Sequence, residues 1–252
     1  MTDKEKDLFS DICHRIICSE HTRNGIGTYG EKSVHLALKM FFEDNESARE
    51  VPVGKYIADI KNDTGIHEIQ TSGFGSMRRK LEAYLSEYDV ELIFPVIEKK
   101  RVMWLSPETG EVVKEYNSPR HVNPAEIFKE LLYIADHVFS ERLSFTLVSL
   151  AVDEVSLLDG YGKDKKRRST KVDRIPRELL EIRRYHSVYE MAELFPYKDG
   201  EIFTAEKIRK FLHAPGRSGW AALRFMEISG FCKKCGKDGN RILYKFLDPQ
   251  KK

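Results

Sequence analysis

Residues 56–71 read Tyr56-Ile57-Ala58-Asp59-Ile60-Lys61-Asn62-Asp63-Thr64-Gly65-Ile66-His67-Glu68-Ile69-Gln70-Thr71. Two β-rich runs, Tyr56 to Lys61 and Ile66 to Thr71, flank Asn62-Asp63-Thr64-Gly65. That quartet favours a turn, because Asn and Asp side chains bond to nearby backbone and glycine accepts positive φ. The stretch therefore predicts an antiparallel hairpin. With Asn62 to Gly65 as its loop, Lys61 faces Ile66, and counting back puts Asp59 opposite Glu68. Gln70 shares the face of Glu68, since side chains alternate along a strand. Like charges facing each other across strands repel. The neighbours Ile57, Ile60, Ile66 and Ile69 are apolar, so the pair is expected near the core. Two carboxylates held together need a shared proton or a cation. Oxygen ligands of this kind suit magnesium or manganese.

Outward from the hairpin, helical spacing of Val34, Ala37, Leu38, Phe41 and Phe42 predicts a helix over 31–42 that carries Glu31 near its start. A second helix is expected over 76–88, striped by Met77, Leu81, Tyr84, Leu85 and Tyr88. A buried strand over 90–97, a hairpin over 101–116, a helix from Asn123-Pro124-Ala125-Glu126 to about Phe139 and a strand over 145–155 follow. Helices and strands in this order predict an α/β fold, a mixed sheet flanked by helices.

An Asp on one strand, Glu-x-Lys or Glu-x-Gln on the next and an upstream helix bearing Glu resemble the PD-(D/E)XK nuclease superfamily. Here the pieces are Glu31, Asp59 and Glu68-Ile69-Gln70, and the likeness spans roughly residues 25–155. The stretch from Glu68 to Gly75 is also similar to a family of bacterial proteins without an assigned function. The nuclease resemblance implies a restriction-endonuclease-like fold and a metal-dependent endonuclease. Asp59, Glu68 and the Ile69 carbonyl would hold Mg2+ or Mn2+, Glu31 would complete the shell, and Gln70 would position the attacking water. Two departures stand out. Gln70 replaces the superfamily's lysine and brings no positive charge, and Ile57-Ala58 precedes Asp59 where the family name has proline. His35 and His67 are not expected to be ligands.

The C-terminal part reads differently. Residues 1–160 carry 19 Lys and Arg against 28 Asp and Glu, whereas residues 161–252 carry 23 against 12, so the basic partner surface is expected there. The glycine-opened, basic stretch 161–174 reads as a linker between a nuclease-like domain over 1–160 and a small domain over 175–252. In the latter, helices are expected over 176–182, 187–194, 204–213 and 216–229, then strands over 231–234 and 241–246 around a glycine-rich tip. Helices followed by a hairpin with a basic tip resemble a small α+β winged helix-turn-helix domain. That likeness implies nucleic-acid contacts from Arg217 and Ser218 at the start of the helix over 216–229. Further contacts would come from Lys233, Lys234, Lys237 and Arg241 on the wing, and from Arg209 and Lys210. Cys232-Lys233-Lys234-Cys235 is half of a zinc knuckle with no second pair nearby, so no structural zinc is expected.

The 252 residues, 33% charged and 41% hydrophobic, hold no run long enough to span a membrane and no apolar leader at the N-terminus, so a cytoplasmic chain is expected. Phosphate-loop, dinucleotide-glycine and Gly-x-Ser-x-Gly motifs are absent. The expected function is a Mg2+-dependent endonuclease whose partner is duplex DNA, with a homodimer plausible for cutting two strands. A non-catalytic DNA-binding regulator on a degenerate nuclease fold and an RNA-processing factor remain open.

Overall fold

The structure, a computed structural model, describes residues 2–22, 33–119, 122–160, 169–213 and 217–251. It is a mixed α/β protein with a seven-stranded sheet and a separate three-stranded one. In chain order come α1 (Asp3–Thr22), α2 (Ser33–Phe42), β1 (Arg49–Val53), β2 (Tyr56–Asn62), β3 (Gly65–Ile69), α3 (Arg78–Leu85), β4 (Val90–Leu105) and β5 (Val112–Asn117). Then follow α4 (Phe128–Leu131), β6 (Leu143–Leu157), β7 (Thr170–Tyr185), β8 (Ile202–Thr204), α5 (Ala205–Phe211), α6 (Arg217–Ile228), β9 (Cys232–Asp238) and β10 (Arg241–Phe246). The large sheet runs β1-β2-β3-β4-β6-β7, with β5 paired to β4. No helix among the described residues is long and apolar enough to cross a membrane.

The chain forms two compact units, and neither matches the expected division. One comprises Met1–Arg49, Pro95–His121 and Val148–Ile182; the other comprises Glu50–Phe94, Val122–Leu147 and Arg183–Lys252. The first holds α1, whose buried Phe9, Ile12, Cys13 and Ile16 repeat at helical spacing and whose Phe9 ring meets Phe41 of α2 edge-on at 5.6 Å. Its strands are laced by ion pairs: Asp153 with Arg101 and Arg177, Glu154 with Lys100, Lys171 and Arg174.

The second unit carries the hairpin. β2 and β3 pair antiparallel with Lys61 opposite Ile66 and Asn62 opposite Gly65, as the turn chemistry predicts. Asn62 Oδ1 accepts from Thr64 N–H at 3.0 Å and from Thr64 Oγ1 at 2.7 Å, closing the tip. β3 then runs parallel to β4, Glu68 beside Leu92. Parallel neighbours need a crossover, and α3 is the helix in that connection, which lays its apolar stripe on the sheet.

Several expectations are corrected. Residues 176–182 are not a helix: they lie within β7, an edge strand, where Pro176 loses no ladder bond to an outer neighbour. Residues 170–174 of the expected linker belong to the same strand, while 161–168 lie outside the described residues. The strands expected over 90–97 and 101–105 are one strand, β4. The helix begun by the Asn123 cap, whose Oδ1 accepts from Ala125 N–H at 2.9 Å, is a chain of short 3₁₀ and α turns ending at Ile134. Helix α1 and strands β1 and β8 were not expected.

The C-terminal elements run 3₁₀ turn (Val188–Leu194), β8, α5, α6, β9, β10, with sheet order β8-β10-β9. This is the order of a winged helix, with β9 and β10 as the wing. It is not a free-standing domain. Phe128 of α4 stacks on Phe195 at 4.6 Å and meets Phe225 and Phe231 at 5.6 and 5.8 Å, so mid-chain residues supply its core.

Candidate functional site

Two acidic side chains from the hairpin and two side chains from the crossover helix meet on one face of the second unit. Asp59 and Glu68 stand opposite each other, as the register requires. They are tied crosswise: Ile69 N–H donates to Asp59 Oδ2 at 2.8 Å, and Asp59 N–H donates to Glu68 Oε1 at 3.3 Å. Glu68 is only 2% exposed. The neighbours expected to bury the pair divide: Ile60, Ile66 and Ile69 are buried, while Ile57 is 60% exposed and leaves one side open.

From α3, Lys80 Nζ reaches Glu68 Oε2 at 2.6 Å. One turn on, Tyr84 is fully buried, its ring 5.7 Å from Lys80 Nζ and edge-on to Tyr56 at 6.1 Å. The electrostatics are unbalanced. Burial first, and then the Asp59 charge, push the Glu68 carboxyl up to about 7 despite the opposing pull of Lys80. The Tyr84 phenol is pushed up by burial and by the nearby charges of Glu68 and Asp59, so it keeps its proton.

The expected site residues fare differently. Asp59 and Glu68 come together, and Ile69 joins them through its N–H, whereas the resemblance calls on its carbonyl. Gln70 Nε2 donates to Ser72 O at 2.5 Å, bracing the chain as it leaves β3. Glu31 lies outside the described residues. His67, on the opposite face, bonds Glu91 Oε2 through Nδ1 at 2.5 Å, and Glu91 also accepts from Thr146 Oγ1. Lys80 and Tyr84 were missed. Met77, Lys80, Leu81 and Tyr84 share helical spacing, which sets a lysine within an otherwise apolar stripe but does not say what that stripe meets.

Among the described residues, no three His, Cys, Asp or Glu side chains gather to hold a metal. The donor set still fits a hard dication. Magnesium is commonly bound through one or two carboxylates, with waters and substrate phosphates filling the remaining positions. A buried Glu68 facing a half-buried Asp59 is such a set.

On the wing, Lys233, Lys234, Lys237 and Arg241 are exposed, and Lys234 is drawn to Glu227 at 3.4 Å. Ser218 and Lys210 are exposed, Arg209 is half-buried, and the Arg217 side chain lies outside the described residues. The face of α6 also shows Trp220 and Ile228, which are apolar. Cys13 and Cys232 are buried while Cys18 and Cys235 are exposed, all as free thiols.

A family model described as a domain of unknown function (DUF8091) matches residues 32–186, which include the hairpin and α3. An uncharacterized protein of Treponema pallidum (strain Nichols) is 27% identical over 226 residues, 89% of this chain and 88% of its own length. No solved structure matches.

Proposed function

We propose that this chain, which belongs to the DUF8091 family, hydrolyses phosphodiester bonds in nucleic acid, duplex DNA first, with a divalent cation held by Asp59 and Glu68. The observation that carries this reading is the facing, cross-tied pair of Asp59 and Glu68, in which burial and the Asp59 charge outweigh the pull of Lys80 on Glu68. Ile69 N–H fixes the Asp59 carboxylate, and burial fixes that of Glu68, so neither needs to reorganise when loaded. When bound, Mg2+ or Mn2+ supplies counter-charge to the scissile phosphate and acidifies a water. Hydrolysis joins a water oxygen to phosphorus and breaks one P–O ester bond, so negative charge grows on the phosphoryl oxygens. Lys80 Nζ, beside Glu68, stands ready to oppose that charge and supplies the positive charge that Gln70, in the place of the superfamily's lysine, does not bring. The basic wing belongs to the same compact unit and supports a polyanionic substrate.

The test is cleavage of plasmid, linear duplex DNA and RNA with Mg2+ or Mn2+, comparing wild type with Asp59→Asn, Glu68→Gln and Lys80→Met. Either carboxylate replacement should lower the rate on the order of a hundredfold or more while the protein stays folded. Cleavage that survives both replacements would refute the site. A wild type that cuts neither DNA nor RNA but binds DNA in a salt-sensitive way would make the chain a non-catalytic binder.

A further inference from the structure

In the first unit, two consecutive acids of β6 gather different amounts of positive charge. Asp153 and Glu154 point to opposite faces of the sheet, since side chains alternate along a strand. On one face, Asp153 takes two arginines: Arg101 closes on it through Nε at 2.9 Å and Nη2 at 2.6 Å, and Arg177 Nη1 stands at 3.4 Å. Arg101 also faces Glu115 at 3.8 Å, so two cations there meet two carboxylates. On the other face, Glu154 receives three cations. Lys100 Nζ donates to Oε1 at 2.8 Å, Arg174 Nε donates to Oε2 at 3.0 Å, and Lys171 Nζ bonds the same Oε2. No second carboxylate among the described residues pairs with any of the three. Asp173, beside Arg174 in the chain, is turned to the start of α2, where the N–H and hydroxyl of Ser33 donate to it.

Glu154 is ionised: burial raises its carboxyl, but the bonds from Lys100, Lys171 and Arg174 bring it down to about 2. The cluster therefore carries three positive charges against one negative, a surplus of two. A lattice that only tied strands together would match its charges, as the Asp153 face does. The cations also reach solvent, with the side chains of Lys171, Arg174 and Lys100 exposed by 42%, 38% and 25%, against 14% for Glu154. Glu154 grips Arg174 by Nε. Both Nη groups, the fork that matches two phosphate oxygens, are left without a partner among the described residues.

We propose that Lys100, Lys171 and Arg174 form a second phosphate-binding site, on the first unit, that takes the backbone of a nucleic acid. Glu154 is its positioning residue, because it holds three long side chains together before any ligand arrives. A surplus of two charges matches two phosphates. An exposed row on β7, at the end of the sheet, suits a backbone that runs along a surface.

The site rests on nucleic acid as the partner in the proposed function and asks nothing of the Asp59–Glu68 pair, so its test needs no cleavage. Labelled duplex DNA is titrated with the full chain by anisotropy, without divalent cation, across a range of salt. Lys171→Ala combined with Arg174→Ala leaves Lys100 matched to Glu154 and removes the surplus. The slope of log Kobs against log salt should become shallower by about 1.8, at about 0.9 per phosphate. Lys171→Arg combined with Arg174→Lys keeps the charge and should keep the slope. Glu154→Gln raises the surplus to three and should tighten binding at low salt, while lowering the thermal midpoint of the free protein. Because it retains all three cations, it tests the site even where the double alanine variant loses its fold. Midpoints that fall in the variants while slope and affinity stay as in wild type would make the cluster a strand-tying lattice and overturn this proposal alone. An unchanged DNA slope with binding of polyglutamate lost would give the cluster to an acidic protein, which defeats it too. A wild type that binds no DNA even at low salt would overturn both this site and the nucleic-acid reading of the function.

Discussion

At Glu68, burial and the charge of Asp59 outweigh the help of Lys80, so its acid form persists up to about pH 7 in the fold against about 4.5 for the ordinary group. Between those values the folded chain binds more protons than the unfolded one. The contribution of this group to stability is therefore greatest below about 4.5 and is lost as pH rises through about 7. Glu68→Gln cannot ionise and lacks this loss. In urea unfolding without divalent cation, the stability of wild type relative to Glu68→Gln should drop by roughly 3 kcal/mol between pH 4 and pH 8. Millimolar Mg2+ at pH 8 should recover part of it. A difference that stays flat with pH would mean a solvated carboxylate. Asp59 and Glu68 were legible because a turn and a period of two fix their register locally. Lys80 and Tyr84 were not, because their meeting with the hairpin depends on how a crossover helix lands on a sheet.

The hairpin sets the geometry of the carboxylates, and Gly65 sets the hairpin. Its φ of 129° lies where side chains are disfavoured, and a Cβ there would come within 2.3 Å of the Asp89 backbone oxygen. That carbonyl cannot swing aside freely, because it accepts from Ile66 N–H at 2.9 Å where β3 enters the sheet. Gly65→Ala should cost roughly 2 kcal/mol or more in chemical denaturation and slow any cleavage by disturbing the Asp59–Glu68 register. An alanine variant as stable as wild type would remove the hairpin tip from the account of the site. Turn residues made this element readable from sequence. β7 was misread for the opposite reason. Pro176, Leu179, Ile182 and Tyr185 are its buried residues, and their spacing of three imitates a helix. The register that makes them a strand comes from the large sheet, and local propensity carries no trace of it.

For the molecule as a whole, the division of charge along the chain outlasts the domain boundary inferred from it. The basic C-terminal part shares its compact unit, and its aromatic core, with residues from the acidic part. Contact of Phe128 with Phe195 and Phe225 pairs residues distant in sequence, which composition cannot foresee. The wing nonetheless projects its charges as expected, with Lys233, Lys237 and Arg241 exposed and no ion pair given to them among the described residues. If these three neutralise phosphates, each should release counterions on binding. The slope of log Kobs against log salt for duplex DNA should then fall by about 0.9 for every contact removed. Anisotropy titrations between low and moderate salt, comparing wild type with Lys233→Ala, Lys237→Ala and Arg241→Ala combined, should show a slope shallower by about 2.7. Lys234 is left in place because its charge is already engaged by Glu227. An unchanged slope would move the nucleic acid off the wing. It would also turn attention to α6, where Trp220 and Ile228 offer an apolar face that suits a protein better than a phosphate backbone.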